Sequence, residues 1–189
     1  MKKIQMVDLQ SQYQKIKSQV DENVLQVMQS AQFINGPEVQ NFQKELEQYL
    51  DVKHVIPCAN GTDALQIALM ALNLQPGDEV ITADFTFAAT VEVIHLLKLK
   101  SVLVDVDYET YNIDTEKLKA AITPNTKAII PVHLFGQCSN MEEILKIANE
   151  HNLYVVEDNC QGIGADYTFS NGKTKKSGTM GTIGVTSFF

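Results

Sequence analysis

The stretch Tyr154-Val155-Val156-Glu157-Asp158-Asn159-Cys160-Gln161 decides how this chain reads. An aromatic residue followed by β-branched ones predicts a buried strand, and the run ends abruptly on carboxylates and an amide. In an open α/β sheet, ligands bind at the carboxyl ends of the strands. Asp158 falls at such an end, and Gln161 follows on a loop that Gly162 and Gly164 allow to turn sharply. Two readings stay open at this point. Asp158 caps a turn, or it joins the amide in meeting a ligand that carries a cationic ring nitrogen beside a hydroxyl.

Outward from this strand the pattern repeats. His54–Cys58, Val80–Ala83, Ser101–Asp105 and Ala128–Val132 read as strands, and Ile183–Phe188 as a last one. Between them, Asp63–Leu72, Thr86–Leu97, Thr115–Ile122 behind Asp114, and Ser139–His151 read as helices. The last of these opens on a Ser139/Glu142 capping box. Strands alternating with helices imply βαβ units and a mostly parallel sheet, hence an α/β fold in three α/β/α layers. Ser170–Gly181, rich in Gly and Lys, reads as an exposed hairpin or loop. Residues 1–50 form a helical N-terminal segment. Ile16, Val20, Val24 and Val27 give an amphipathic helix over Asp8–Ser30, and Pro37 opens a second one through Tyr49.

Length and composition limit the class. A chain of 189 residues, 44% hydrophobic, suits one domain with a sizeable core. Its net charge of -8 and lack of a basic stripe argue against nucleic-acid or membrane-surface partners. All 15 basic residues are Lys, so no bidentate Arg fork exists to grip a carboxylate or diphosphate. Cys58, Cys138 and Cys160 lack metal-ligand spacing and read as small buried fillers in a reducing compartment. The Met1-Lys2-Lys3 start shows no signal peptide or apolar span, and a cytoplasmic protein is expected. The chain ends at Phe189 on an apolar strand, which reads as a cut.

The chemistry-bearing residues fall at strand ends. Asn60-Gly61-Thr62 precedes a helix whose first amides would meet an anion, unless Asn60 merely caps it. Phe87 is either a flat platform for a ring or a core aromatic. His133 is either catalytic or, the blander reading, a hydrogen-bonded structural residue. Asp105, Asp107 and Asp114 flank a turn and a helix start, which explains them without metal. Gly162-Ile163-Gly164 lacks the third glycine of a dinucleotide fingerprint. A phosphate cup, an aromatic platform and a carboxylate for a ring nitrogen, all on one sheet edge, together outline a pocket for pyridoxal 5'-phosphate.

Here the chain resembles a known family. Asn60-Gly61-Thr62-Asp63-Ala64-Leu65, Thr86-Phe87-Ala88-Ala89-Thr90, His133-Leu134-Phe135-Gly136, Glu157-Asp158-Asn159-Cys160-Gln161 and Thr186-Ser187-Phe188-Phe189 look like successive motifs of the DegT-type nucleotide-sugar aminotransferases. The resemblance covers the first half of such an enzyme, the large domain of fold type I, with the small C-terminal domain absent. It implies that Gly61, Thr62 and Ser187 bind the cofactor phosphate and that Phe87 stacks on the ring. It implies further that Asp158 pairs with the ring nitrogen and Gln161 contacts the phenolic oxygen. The Schiff-base lysine is expected beyond Phe189, leaving no catalytic residue in these 189 residues and no activity for them alone. The implied reaction moves an amino group from an amino acid, usually glutamate, to a nucleotide-linked keto-sugar for surface polysaccharide. Some relatives instead carry His in place of that lysine and dehydrate sugars. A homodimer with shared sites is also implied.

Overall fold

The structure, a computed structural model, describes residues 6–188. The chain divides into two units, Met1–Tyr49 and Leu50–Phe189. The first contains α1 (Leu9–Ser30) and all but the last residue of α2 (Pro37–Leu50). Asp8 caps α1, its side chain accepting from the Ser11 amide, and Ala31 ends it in the left-handed conformation.

The second unit holds the sheet. Its elements are α3 (Gly61–Ala71), β1 (Glu79–Ala83), α4 (Ala88–Leu96), β2 (Lys100–Val104), α5 (Thr115–Ala120), β3 (Thr126–Ile130), α6 (Met141–His151), β4 (Tyr154–Asp158), β5 (Asp166–Thr168), β6 (Thr174–Lys176) and β7 (Ile183–Val185). Five strands join in the order β2-β1-β3-β4-β7, and every neighbouring pair is parallel. The chain steps from β1 outward to β2 and then returns past β1 to β3, so the winding reverses between β1 and β3. A crevice outside the strand ends is expected at such a reversal.

Side-chain alternation along each strand distributes the core to two faces. Val80, Ala128, Ile130, Val156 and Val185 pack with Leu65 and Leu69 of α3 and Val93 and Ile94 of α4. Ile81, Ile129 and Val155 pack with Leu118 of α5 and Met141, Ile144 and Ile147 of α6. Helices thus cover both faces, giving three layers. The alternation has a direct consequence at the end of β4: Glu157 belongs to the α6 face and Asp158 to the α3/α4 face.

The structure corrects four local expectations. His54–Cys58 forms no strand: it lies outside both sheets, and Pro57 has no N–H to give to a ladder. The cap of α6 is Asn140, whose Oδ1 accepts from the Glu143 amide. Ser139 is fully buried and donates to the Val132 carbonyl instead, while Glu142 accepts from Ser170. The last strand stops at Val185 rather than Phe188. The Ser170–Gly181 stretch begins in the turn of an antiparallel β5–β6 hairpin, yet Ser177 and Met180 beyond it are buried.

Candidate active site

Asp158 closes β4 and is 4% exposed. Its Oδ2 accepts from the Thr90 hydroxyl at 2.8 Å and its Oδ1 from the Cys160 amide at 3.2 Å. No Lys or His is paired with it among the described residues. Burying a carboxylate without a counter-charge is expensive. The arrangement leaves a buried carboxyl group held by neutral donors of Thr90 and Cys160, on the side of the sheet that α3 and α4 cover.

Around Asp158 the other sequence-predicted residues are linked step by step. Gly61 opens α3, and a Cβ on it would lie 2.8 Å from Cys160 Sγ and 2.9 Å from Ser187 Cβ. Gly61, Cys160 and Ser187 therefore meet with no room for a side chain at position 61. Asn60 caps α3, accepting from the Asp63 amide at 2.9 Å; the cap coexists with the cup, because the first-turn amides of Gly61 and Thr62 have no carbonyl within the helix to bond. Phe87 is 69% exposed at the start of α4, which excludes its reading as a core aromatic. Its carbonyl accepts from the Thr90 amide at 3.1 Å, tying it to the residue that holds Asp158. The Gln161 Oε1 accepts from the Phe135 amide at 2.9 Å, a bond that leaves the NH2 end of the side chain as a donor.

His133 takes the structural reading. It is fully buried, and its Nδ1 accepts from the Ser139 amide at 3.2 Å. The proton is therefore on Nε2, which donates to Glu157 Oε2 at 2.9 Å. Glu157 is itself a buried hub. It also accepts from the amides of Gly178 at 2.9 Å, Met180 at 2.6 Å and Gly181 at 2.5 Å. These bonds pin the segment that feeds β7 and, beyond it, Ser187. Asn159 fills a slot between Gly162 and Gly178: a Cβ on either glycine would come within 2.8 Å of its amide group. Asp114 caps α5, Asp107 accepts from Thr110, and Asp105 pairs with Lys117, so these carboxylates are explained locally.

The cysteines depart in part from expectation. Cys58 is exposed rather than buried. Burial pushes the Cys138 thiol up to about 11, with Glu157 and then Asp166 adding to it. Burial and then the Asp158 carboxylate push the Cys160 thiol higher still. Both act as small protonated fillers.

Thr90 and Glu157 are the residues that sequence reading misses as determinants of the site. Thr90 has one available signal, a lone hydroxyl on the Ala88–Ala89 side of an otherwise apolar helix start, four residues after Thr86.

The family model for the DegT/DnrJ/EryC1/StrS aminotransferases matches residues 14–189. The chain belongs to this family. Pyridoxal phosphate is the cofactor of DegT-family aminotransferases, and solved relatives include one with bound pyridoxamine phosphate from Bacillus subtilis. The site residues fit that group: a buried carboxyl group with no Lys or His paired to it among the described residues, a glycine at a helix start too close to Ser187 for a Cβ, and an uncovered aromatic ring.

Among DegT-family relatives, a UDP-2-acetamido-2-deoxy-3-oxo-D-glucuronate aminotransferase from Pseudomonas aeruginosa is 47% identical over 98% of this chain and 50% of its own length. A UDP-N-acetyl-3-dehydro-alpha-D-glucosamine 3-aminotransferase from Acidithiobacillus ferrooxidans is 41% identical over 98% and 49%. A crystal structure of a DegT-family aminotransferase from Brucella abortus superposes with a TM-score of 0.92 at 41% identity, covering 99% of this chain and 51% of that one. The chain spans about half the length of the curated relatives it matches.

Proposed function

We propose that this chain carries the cofactor-binding half of a pyridoxal-phosphate-dependent aminotransferase acting on a nucleotide-linked keto-sugar. One observation carries the reading: Asp158 is a buried carboxylate with only neutral donors, Thr90 and the Cys160 amide, among the described residues. A ligand with a cationic ring nitrogen supplies the missing charge. When bound, pyridoxal phosphate supplies an electron sink and a carrier for the amino group.

The chain's own residues divide the remaining work. Asp158 holds the proton on the ring nitrogen. The first-turn amides at Gly61 and Thr62, with the Ser187 hydroxyl, receive the phosphate at the positive end of α3. These 189 residues contain no Arg, so their share of the grip on the phosphate comes from neutral donors and the helix dipole. Phe87 covers one ring face, and the Gln161 NH2 donates to the phenolic oxygen.

Glutamate is the proposed amino donor. The acceptor is a UDP-linked N-acetylated 3-keto-sugar or its uronate, a choice supported by the names of the Pseudomonas and Acidithiobacillus relatives. The product is an amino sugar for surface polysaccharide, made in the cytoplasm by a homodimer. The full-length protein that contains this half, purified and supplied with cofactor, glutamate and such a sugar nucleotide, tests this by mass spectrometry. Amino-sugar nucleotide and 2-oxoglutarate in equal amounts are expected. A deoxygenated sugar without nitrogen would move the reaction to dehydration, and no turnover of any nucleotide-linked keto-sugar would refute the reading. Asp158→Asn is expected to lower turnover about a hundredfold, the scale of one electrostatic contact made at the reacting system.

A further inference from the structure

A carboxylate that serves a ring nitrogen must keep its orientation when the pocket is empty and when it is filled. Asp158 ends its strand, so its side chain has two torsions to fix and no strand beyond it to help. Of the bonds it accepts from the Thr90 hydroxyl and the Cys160 amide, the one from Thr90 is the shorter, 2.8 Å against 3.2 Å. Thr90 is fully buried and reaches across 68 residues of sequence to make it.

The bond is unusual for the residue. A threonine in a helix ordinarily turns its hydroxyl back onto a carbonyl of the preceding turn. Thr90 directs it off α4 and onto β4. A hydroxyl has one proton, and here Asp158 receives it. The 3.2 Å contact between the Thr86 and Thr90 hydroxyls must then be Thr86 donating to Thr90. The result is a directional relay, Thr86 to Thr90 to Asp158, in which each bond polarises the next. The Thr90 amide meanwhile holds the Phe87 carbonyl at 3.1 Å.

We propose that Thr90 is a positioning residue for the cofactor's ring nitrogen: its hydroxyl fixes the Asp158 carboxylate, and Thr86 fixes that hydroxyl in turn. The start of α4 thereby places the aromatic platform and the ring-nitrogen partner as one piece. The inference rests on the cofactor reading given above.

Pyridoxamine phosphate is the probe, since it binds without a covalent bond to the protein. Its 1-deaza analogue, with CH in place of the ring nitrogen, is the control. Calorimetric affinities are measured for the wild type, Thr90→Val, Thr90→Ser and Asp158→Ala. Thr90→Val is expected to weaken pyridoxamine phosphate about tenfold, the scale of one charge-assisted hydrogen bond. It should leave the deaza analogue unchanged, and Thr90→Ser should restore wild-type affinity. Thr90→Ala, which cannot overfill the site, gives the same comparison if the valine variant does not fold. Equal losses for both ligands would reduce Thr90 to a support of the fold and overturn the proposal. So would an unchanged affinity for pyridoxamine phosphate while Asp158→Ala loses it, an outcome that leaves the cofactor reading standing. If Asp158→Ala binds pyridoxamine phosphate as the wild type does, the cofactor reading falls and the role of Thr90 falls with it.

Discussion

Gly61 and Ser187 are separated by most of the second unit in sequence, yet a Cβ on Gly61 would lie 2.9 Å from Ser187 Cβ and 3.3 Å from its hydroxyl oxygen. The start of α3 and the chain just past β7 are in van der Waals contact, and the glycine is what permits it. Ser187 Cβ cannot retreat without moving its backbone, and Cys160 Sγ closes the third side at 2.8 Å unless its side chain turns away.

Gly61→Ala is therefore expected to destabilise the protein by about 1–3 kcal/mol through overpacking. It should also displace Ser187 from the first turn of α3. Urea unfolding reads the first effect and pyridoxamine phosphate affinity the second. Unchanged values in both would show that the gap at position 61 is not needed.

Replacing Glu157 tests the buried hub. Three backbone amides and the His133 Nε2 proton converge on its carboxylate. Glu157→Gln turns an NH2 group toward some of these donors, at an expected cost of about 3 kcal/mol. Amide exchange should quicken first at Gly178, Met180 and Gly181. Global unfolding with no local change there would contradict the assignment of Glu157 as their anchor.

Thiol reactivity should follow burial. Cys58 is exposed, whereas burial raises the thiols of Cys138 and Cys160. Iodoacetamide applied to native protein near neutral pH is expected to label Cys58 alone, with the other two reacting only after denaturation. Native labelling of Cys160 would mean that the contact with Gly61 opens in solution.

Acid sensitivity has a named contributor at the opposite end of the sheet. Glu79 is held below its ordinary value of 4.5, first by the Lys100 ammonium at 2.8 Å and then by the Thr123 hydroxyl. A carboxylate whose folded-state value is lowered contributes stability that is complete above its unfolded value and is lost as pH falls toward its folded one. Urea midpoints measured downward from neutral pH should fall through and below the ordinary glutamate range. Glu79→Gln should be less stable at neutral pH and show a shallower acid limb.

Much of this architecture can be read from the chain, for a physical reason. Strands such as Ala128–Ile130 and Val155–Val156 are buried on both faces, so their continuous apolar runs identify them. His54–Cys58 has a similar composition but forms no strand, and composition alone does not reveal whether a ladder partner exists. The carboxylate of Asp158 can be found because strand ends in α/β sheets are where ligands bind. Thr90 and Glu157 are harder to see. Their partners lie 68 residues away for Thr90 and between 21 and 24 for Glu157, and no local pattern connects them. The Ser139/Glu142 pair satisfies a capping pattern that the fold uses otherwise, because the neighbouring Asn140 performs the cap.

Glu157 and Asp158 are adjacent carboxylates that look in opposite directions, one into a ring of backbone amides and the other toward α4. The pair therefore works as a frame marker for β4. A substitution at either position damages one function and leaves the other, but a one-residue insertion or deletion in the strand exchanges their surroundings. Glu157 would face the α3/α4 side, and Asp158 would be buried among amides it is too short to satisfy. Length changes should accumulate in the β5–β6 hairpin, where the turn is exposed, and be excluded from Tyr154–Asp158.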